Sequence, residues 1–137
     1  MSGAIPVLKK AAYQTIDSLT LGHKVTQVPP LLYALFRPEI QDFWISWMRY
    51  NPAELIKDCT CPVLIIQGDT DLQVKLEDAQ NLAQAQPHAD LKIINGMNHI
   101  LKKAPLDRNQ NLATYNKPDL ALHPGLIAVI VHFVQQL

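Results

Sequence analysis

The segment Pro62–Val74, Pro-Val-Leu-Ile-Ile-Gln-Gly-Asp-Thr-Asp-Leu-Gln-Val, constrains the fold more than any other part of the chain. Val63, Leu64, Ile65 and Ile66 form an unbroken aliphatic run, the pattern of a strand buried on both faces of a parallel sheet. The chain then turns at Gly68 and presents Asp69 and Asp71 at the carboxyl end of that strand, where open α/β sheets hold their ligands. A second unit repeats the plan: Leu91-Lys92-Ile93-Ile94 ends in Asn95-Gly96-Met97-Asn98-His99. An acid after one strand and a histidine after the next are two of the three members of a hydrolytic triad. Asp69, closer to the glycine turn, reads as a turn or capping residue.

Between these strands Val74–Gln86 has the spacing of a helix, with Leu76, Ala79, Leu82 and Ala83 facing inward. Pro87-His88-Ala89-Asp90 returns the chain to the second strand, so the unit is βαβ, with parallel strands and a right-handed crossover. Residues 102–122 are rich in Pro and Asn and read as a long ordered surface loop. Ile127, Ile130, Val131 and Val134 then mark a last helix within Pro124–Leu137.

The half before Pro62 is different. Ile5, Leu8, Ala12, Ile16 and Leu19 recur every three or four residues, predicting an amphipathic helix over residues 4–19. A loop over Gly22–Pro30 precedes a short apolar helix through Leu31, Leu32, Leu35 and Phe36. From Pro38 a second helix carries Ile40, Phe43, Trp44, Trp47 and Met48 on one face, and Asn51-Pro52-Ala53-Glu54 starts another short helix. Residues 1–59 are thus expected to be a helical, lid-like segment, and residues 60–137 an α/β core.

Twelve basic and twelve acidic residues balance, and no basic cluster exceeds Lys9-Lys10 or Lys102-Lys103, so neither nucleic acid nor an anionic membrane is an expected partner. Cys59 and Cys61, one residue apart, are poorly spaced for a disulfide and too few for structural zinc, and read as free thiols. His23, His88, His123 and His132 form no metal-ligand spacing, and neither a metal nor another cofactor is expected. No apolar run approaches the roughly 20 residues of a membrane helix, and the N-terminus lacks a secretory pattern, so a cytoplasmic location is the default if Met1 is the natural start.

The order strand, Gly68-Asp69-Thr70-Asp71-Leu72-Gln73-Val74, helix, strand, Gly96-Met97-Asn98-His99, loop, final helix resembles the C-terminal half of the α/β-hydrolases, over residues 60–137. The nearest members are the serine-aminopeptidase and monoglyceride-lipase-like enzymes. The resemblance implies that Asp71, in a Gly-x-x-Asp turn, is the triad acid and that His99 is the base. It also implies that residues 4–57 stand where such enzymes insert a helical cap. Phe43, Trp44, Trp47 and Met48 would then line a substrate pocket, or else form the cap's own core.

One departure from the family decides the expected activity. The nucleophile of the family lies in a Gly-x-Ser-x-Gly elbow that precedes the acid. Gly3, Gly22, Gly68, Gly96 and Gly125 are the only glycines here, and none has a serine two residues later. Ser2, Ser18 and Ser46 read as a terminal, a helix-end and a helix-face residue. Two expectations follow. In one, the chain is the acid-and-base part of a serine hydrolase of esters or amides, inactive without a separate N-terminal half. In the other, it is a non-catalytic module that self-associates through the unpaired edge of its first strand, as a homo-oligomer.

Overall fold

A computed structural model describes residues 4–137; Ser2 and Gly3 lie outside the described residues. The chain divides into two compact units, Met1–Asn51 and Pro52–Leu137. Among the described residues no helix is long and apolar enough to cross a membrane.

The first unit is helical. Helix α1, Ala4–Thr20, extends the predicted helix by one residue and ends where Gly22, at φ +82°, takes the left-handed conformation that closes helices. A 3-10 turn at Pro30–Leu32 leads into α2, Tyr33–Phe36, and another at Pro38–Ile40 leads into α3, Gln41–Trp47. Each 3-10 turn begins with proline, whose fixed φ and missing N–H suit a first turn. Leu19, Leu32, Phe36 and Ile45 form the core, with Leu8, Ala12, Ile16, Trp44 and Met48 packed against it. Buried among them, Gln41 accepts from Val25 N–H at 2.8 Å and donates to the carbonyls of Val25, at 2.8 Å, and Phe36, at 2.7 Å. A polar side chain is tolerated there because all its bonds are made. The inward stripe of α3 is therefore Gln41, Trp44, Ile45 and Met48, whereas Phe43 and Trp47 are 60% and 59% exposed. Of the four aromatic and thioether side chains expected to act together, two belong to the core of this unit and two face outward.

The second unit holds α4, Pro52–Leu55, with a 3-10 turn at Ile56–Asp58, then β1, Leu64–Gly68, α5, Leu76–Ala85, β2, Asp90–Ile94, α6, Arg108–Ala113, and α7, Pro124–Val134. Strands β1 and β2 are parallel, with Leu64 beside Asp90 and Gly68 beside Ile94. The protein is thus of the mixed α/β class, as the βαβ pattern predicts. Leu64, Ile65 and Ile66 are only half-buried, because among the described residues the sheet has two strands and β1 has no neighbour on its other side. The region over 102–122 is not simply loop: Asp107 caps α6 by accepting from Gln110 N–H at 2.9 Å, and Lys102 bridges to Leu122. Ile94, Met97 and Leu126 make the core of this unit, with Ile66 and Val129 against it.

Candidate active site

Parallel pairing brings the segments after β1 and β2 to the same end of the sheet. They are held together by backbone contact. Asp69 N–H extends the ladder to Ile94 O at 3.2 Å, and Thr70 N–H donates to Met97 O, also at 3.2 Å. Gly68 permits this approach: a Cβ built there would lie 1.9 Å from the Met97 oxygen.

On this scaffold the carboxylate of Asp71 faces the imidazole of His99, with Oδ2 2.9 Å from Nδ1. The other oxygen, Oδ1, accepts from the backbone N–H groups of Gln73, at 2.7 Å, and Val74, at 3.0 Å. Gln67, buried at the end of β1, donates through Nε2 to Asp71 Oδ2 at 3.2 Å and also to Gly68 O and Val74 O. The carboxylate is thus oriented by four donors. Its side chain is 6% exposed, that of His99 40%.

Burial by itself would raise the Asp71 carboxyl, but the bonds from Val74, Gln73, His99 and Gln67 outweigh it and hold it below the ordinary value of 3.8. Asp71 is therefore ionised at neutral pH and can only accept. The proton in the contact belongs to His99 Nδ1, which leaves Nε2 of the neutral ring as an acceptor. Among the described residues Nε2 has no bonded partner, so the pair can take a proton from a group brought to the half-exposed edge of the ring.

Asp69 has a different part. It accepts from Gly96 N–H at 2.6 Å and from Asn95 Nδ2 at 2.8 Å, bracing the turn after β2 rather than its own. The His99 loop is fixed from below by Asn98, which is 1% exposed. Its Nδ2 donates to Asn111 Oδ1 and Thr114 Oγ1, at 3.1 and 2.8 Å, and its Oδ1 accepts from Lys102 N–H at 3.1 Å. Asn111, fully buried, ties α6 back to the acid turn through Thr70 O at 2.8 Å. Leu101 closes the loop at φ +61°, a strained conformation for a leucine.

Sequence reasoning named Asp71 and His99 and missed Gln67, Asn98 and Asn111, which position them. Gln67 carried a signal, as an amide at the end of an aliphatic run. Asn98 and Asn111 carried none, because their partners are remote in sequence. His123 caps α7, its Nδ1 accepting from Gly125 N–H at 3.1 Å. Among the described residues no group of three His, Cys, Asp or Glu side chains assembles as a metal site.

The class this geometry defines is an α/β protein with a carboxylate–imidazole pair at the carboxyl ends of parallel strands. Comparison with protein-family models, with curated proteins and with solved structures finds no match in any of the three.

Proposed function

We propose that Asp71 and His99 are the acid and base of a hydrolase of the α/β-hydrolase type acting on an ester or amide. The observation that carries this reading is the 2.9 Å contact between a carboxylate 6% exposed and an imidazole whose outer nitrogen is unengaged among the described residues. In such a reaction a serine hydroxyl passes its proton to Nε2 as it attacks the carbonyl carbon, and Asp71 stabilises the imidazolium that results. His99 then returns the proton to the leaving alcohol or amine.

The nucleophile in this proposal comes from polypeptide outside these residues. Residues 52–137 contain no serine, and Ser18 and Ser46 stand in helices of the other unit. The test is to treat the isolated chain with a fluorophosphonate probe, and then to repeat it with an added polypeptide that carries a Gly-x-Ser-x-Gly strand-and-helix unit encoded beside this frame. Labelling of the added serine, and none of Ser2, Ser18 or Ser46, is the expected result. Labelling of any of the three native serines, or an added serine indifferent to His99→Ala, would contradict the proposal.

A second reading, an assembly module, is supported by one feature. Helix α7 carries no charged Asp, Glu, Lys or Arg, and Ile127, Val131 and Val134 are 53%, 46% and 57% exposed beside a sheet of only two strands. A helix apolar all round normally packs on more than one side. A concentration-independent monomer in light scattering would count against this second reading.

A further inference from the structure

Asn95 is the only asparagine of the chain followed by glycine. That dipeptide is the least hindered setting for one reaction of the side-chain amide: with no Cβ on the following residue, its backbone nitrogen can approach and attack the asparagine Cγ. Asn95 is exposed and Gly96 half-buried, so water has access to the pair. They are the central residues of a turn closed by Met97 N–H on Ile94 O at 3.3 Å, with Gly96 at φ +72°. The turn leads directly into Met97, Asn98 and His99.

Both reacting groups are held by one carboxylate. Asp69 Oδ1 accepts from the Gly96 N–H at 2.6 Å, and Oδ2 accepts from Asn95 Nδ2 at 2.8 Å. Bonds to a carboxylate are the strong kind. The first keeps the proton on the nitrogen that must lose it to attack, because a neighbouring negative charge opposes a second one. The second pins the amide that must swing toward Gly96 N and leave. Asp69 comes from the tip of the other strand, so this restraint exists only while β1 and β2 are paired.

We propose that Asn95–Gly96 is a deamidation site that Asp69 holds in check in the folded chain. Once released, Gly96 N gives its proton to solvent and bonds to Asn95 Cγ, and Nδ2 leaves as ammonia, closing a succinimide ring. Water then opens the ring: attack at Cγ leaves aspartate, and attack at the backbone carbonyl of residue 95 leaves isoaspartate. Water is consumed, ammonia is released and no electron is transferred. Aspartate sets a second carboxylate against Asp69 where a donor stood, and isoaspartate lengthens the main chain of the turn by a methylene. Either product loosens the loop that carries His99. The proposal does not depend on the reaction assigned to Asp71 and His99.

The test incubates the whole chain at neutral pH, folded or unfolded in urea, and follows Asn95 by peptide mass spectrometry. Loss of ammonia there should be at least about tenfold slower in the folded parent than in the unfolded chain, the loss of charge-assisted bonds read as a barrier. Asp69→Ala should speed the reaction in folded protein by about tenfold for the same reason. The Gly96 amide should exchange with solvent faster in that variant. Circular dichroism checks that Asp69→Ala is folded; should it not be, Asp69→Asn, which keeps one acceptor oxygen, takes its place with the same direction expected. Asn95→Asp should unfold at lower urea than Asn95→Ala, which removes the same bond without adding charge. Asn95 reacting as fast in the folded parent as in urea, an unchanged rate in the folded Asp69 variant, or Asn95→Asp no less stable than Asn95→Ala would each overturn the proposal.

Discussion

Gly68 lies against the carbonyl of Met97, so close that a methyl group on its Cα would sit 1.9 Å from the oxygen. This contact locks the acid turn to the histidine loop, and neither backbone can retreat without breaking the Thr70 to Met97 bond at 3.2 Å. Gly68→Ala should therefore destabilise the protein by about 3 kcal/mol or more, at the upper end of overpacking effects. Urea unfolding measures it. An alanine variant as stable as the parent would mean that the loops are not in contact.

Gln67 shares one amide among three acceptors: Asp71 Oδ2, Gly68 O and Val74 O. Gln67→Leu keeps the bulk and removes the donor to these partly buried acceptors, at a cost of about 1 kcal/mol. The variant should also loosen Asp71, seen as faster amide exchange at Gln73 and Val74, which donate to it. Unchanged exchange at both would show that the two backbone donors suffice.

The hydroxyl of Thr70 is buried with no partner among the described residues, a cost without return. Thr70→Val replaces it with a methyl of similar shape and should stabilise the fold by about 1 kcal/mol. A loss of stability on thermal or urea unfolding would reveal a bond made by that oxygen.

The lowered Asp71 carboxyl has a consequence for acid unfolding. A group whose folded value lies below its unfolded one stabilises the fold fully above the unfolded value, and that contribution is lost as pH falls through the folded value. The Asp71 contribution to the stability difference between the parent and Asp71→Asn should thus be lost as pH falls below the ordinary 3.8. Urea unfolding at about pH 6 and about pH 2 provides the comparison. A difference that grows on acidification would contradict the assigned direction.

Much of this was legible in the sequence because it is local. Aliphatic runs ending in Gly-x-x-Asp and in Asn-His identify strand tips, and a ten-residue helix between them makes the strands parallel. Strand tips at one end of a parallel sheet bring an acid turn toward His99, and the resemblance to the α/β-hydrolases singles out Asp71 over Asp69. What could not be read depends on contacts remote in sequence. Asn111 reaches Thr70, and Gln41 reaches Val25, so these amides are buried for reasons no window of residues contains. The helical period of α3 holds but its inward face differs for a related reason: the buried amide of Gln41 turns the inward stripe away from Phe43 and Trp47. Helix α6 was missed because Asn and Gln at its centre read as loop.

The central claim concerns one proton. With Asp71 ionised and acceptor-only, His99 must carry its hydrogen on Nδ1 and keep Nε2 free. Two-bond nitrogen–proton correlation spectra of 15N-labelled protein at neutral pH report the tautomer directly. The account predicts the Nδ1–H form of His99, converted in part to the Nε2–H form by Asp71→Asn. A parent protein with His99 protonated on Nε2, or a tautomer unmoved by Asp71→Asn, would contradict it.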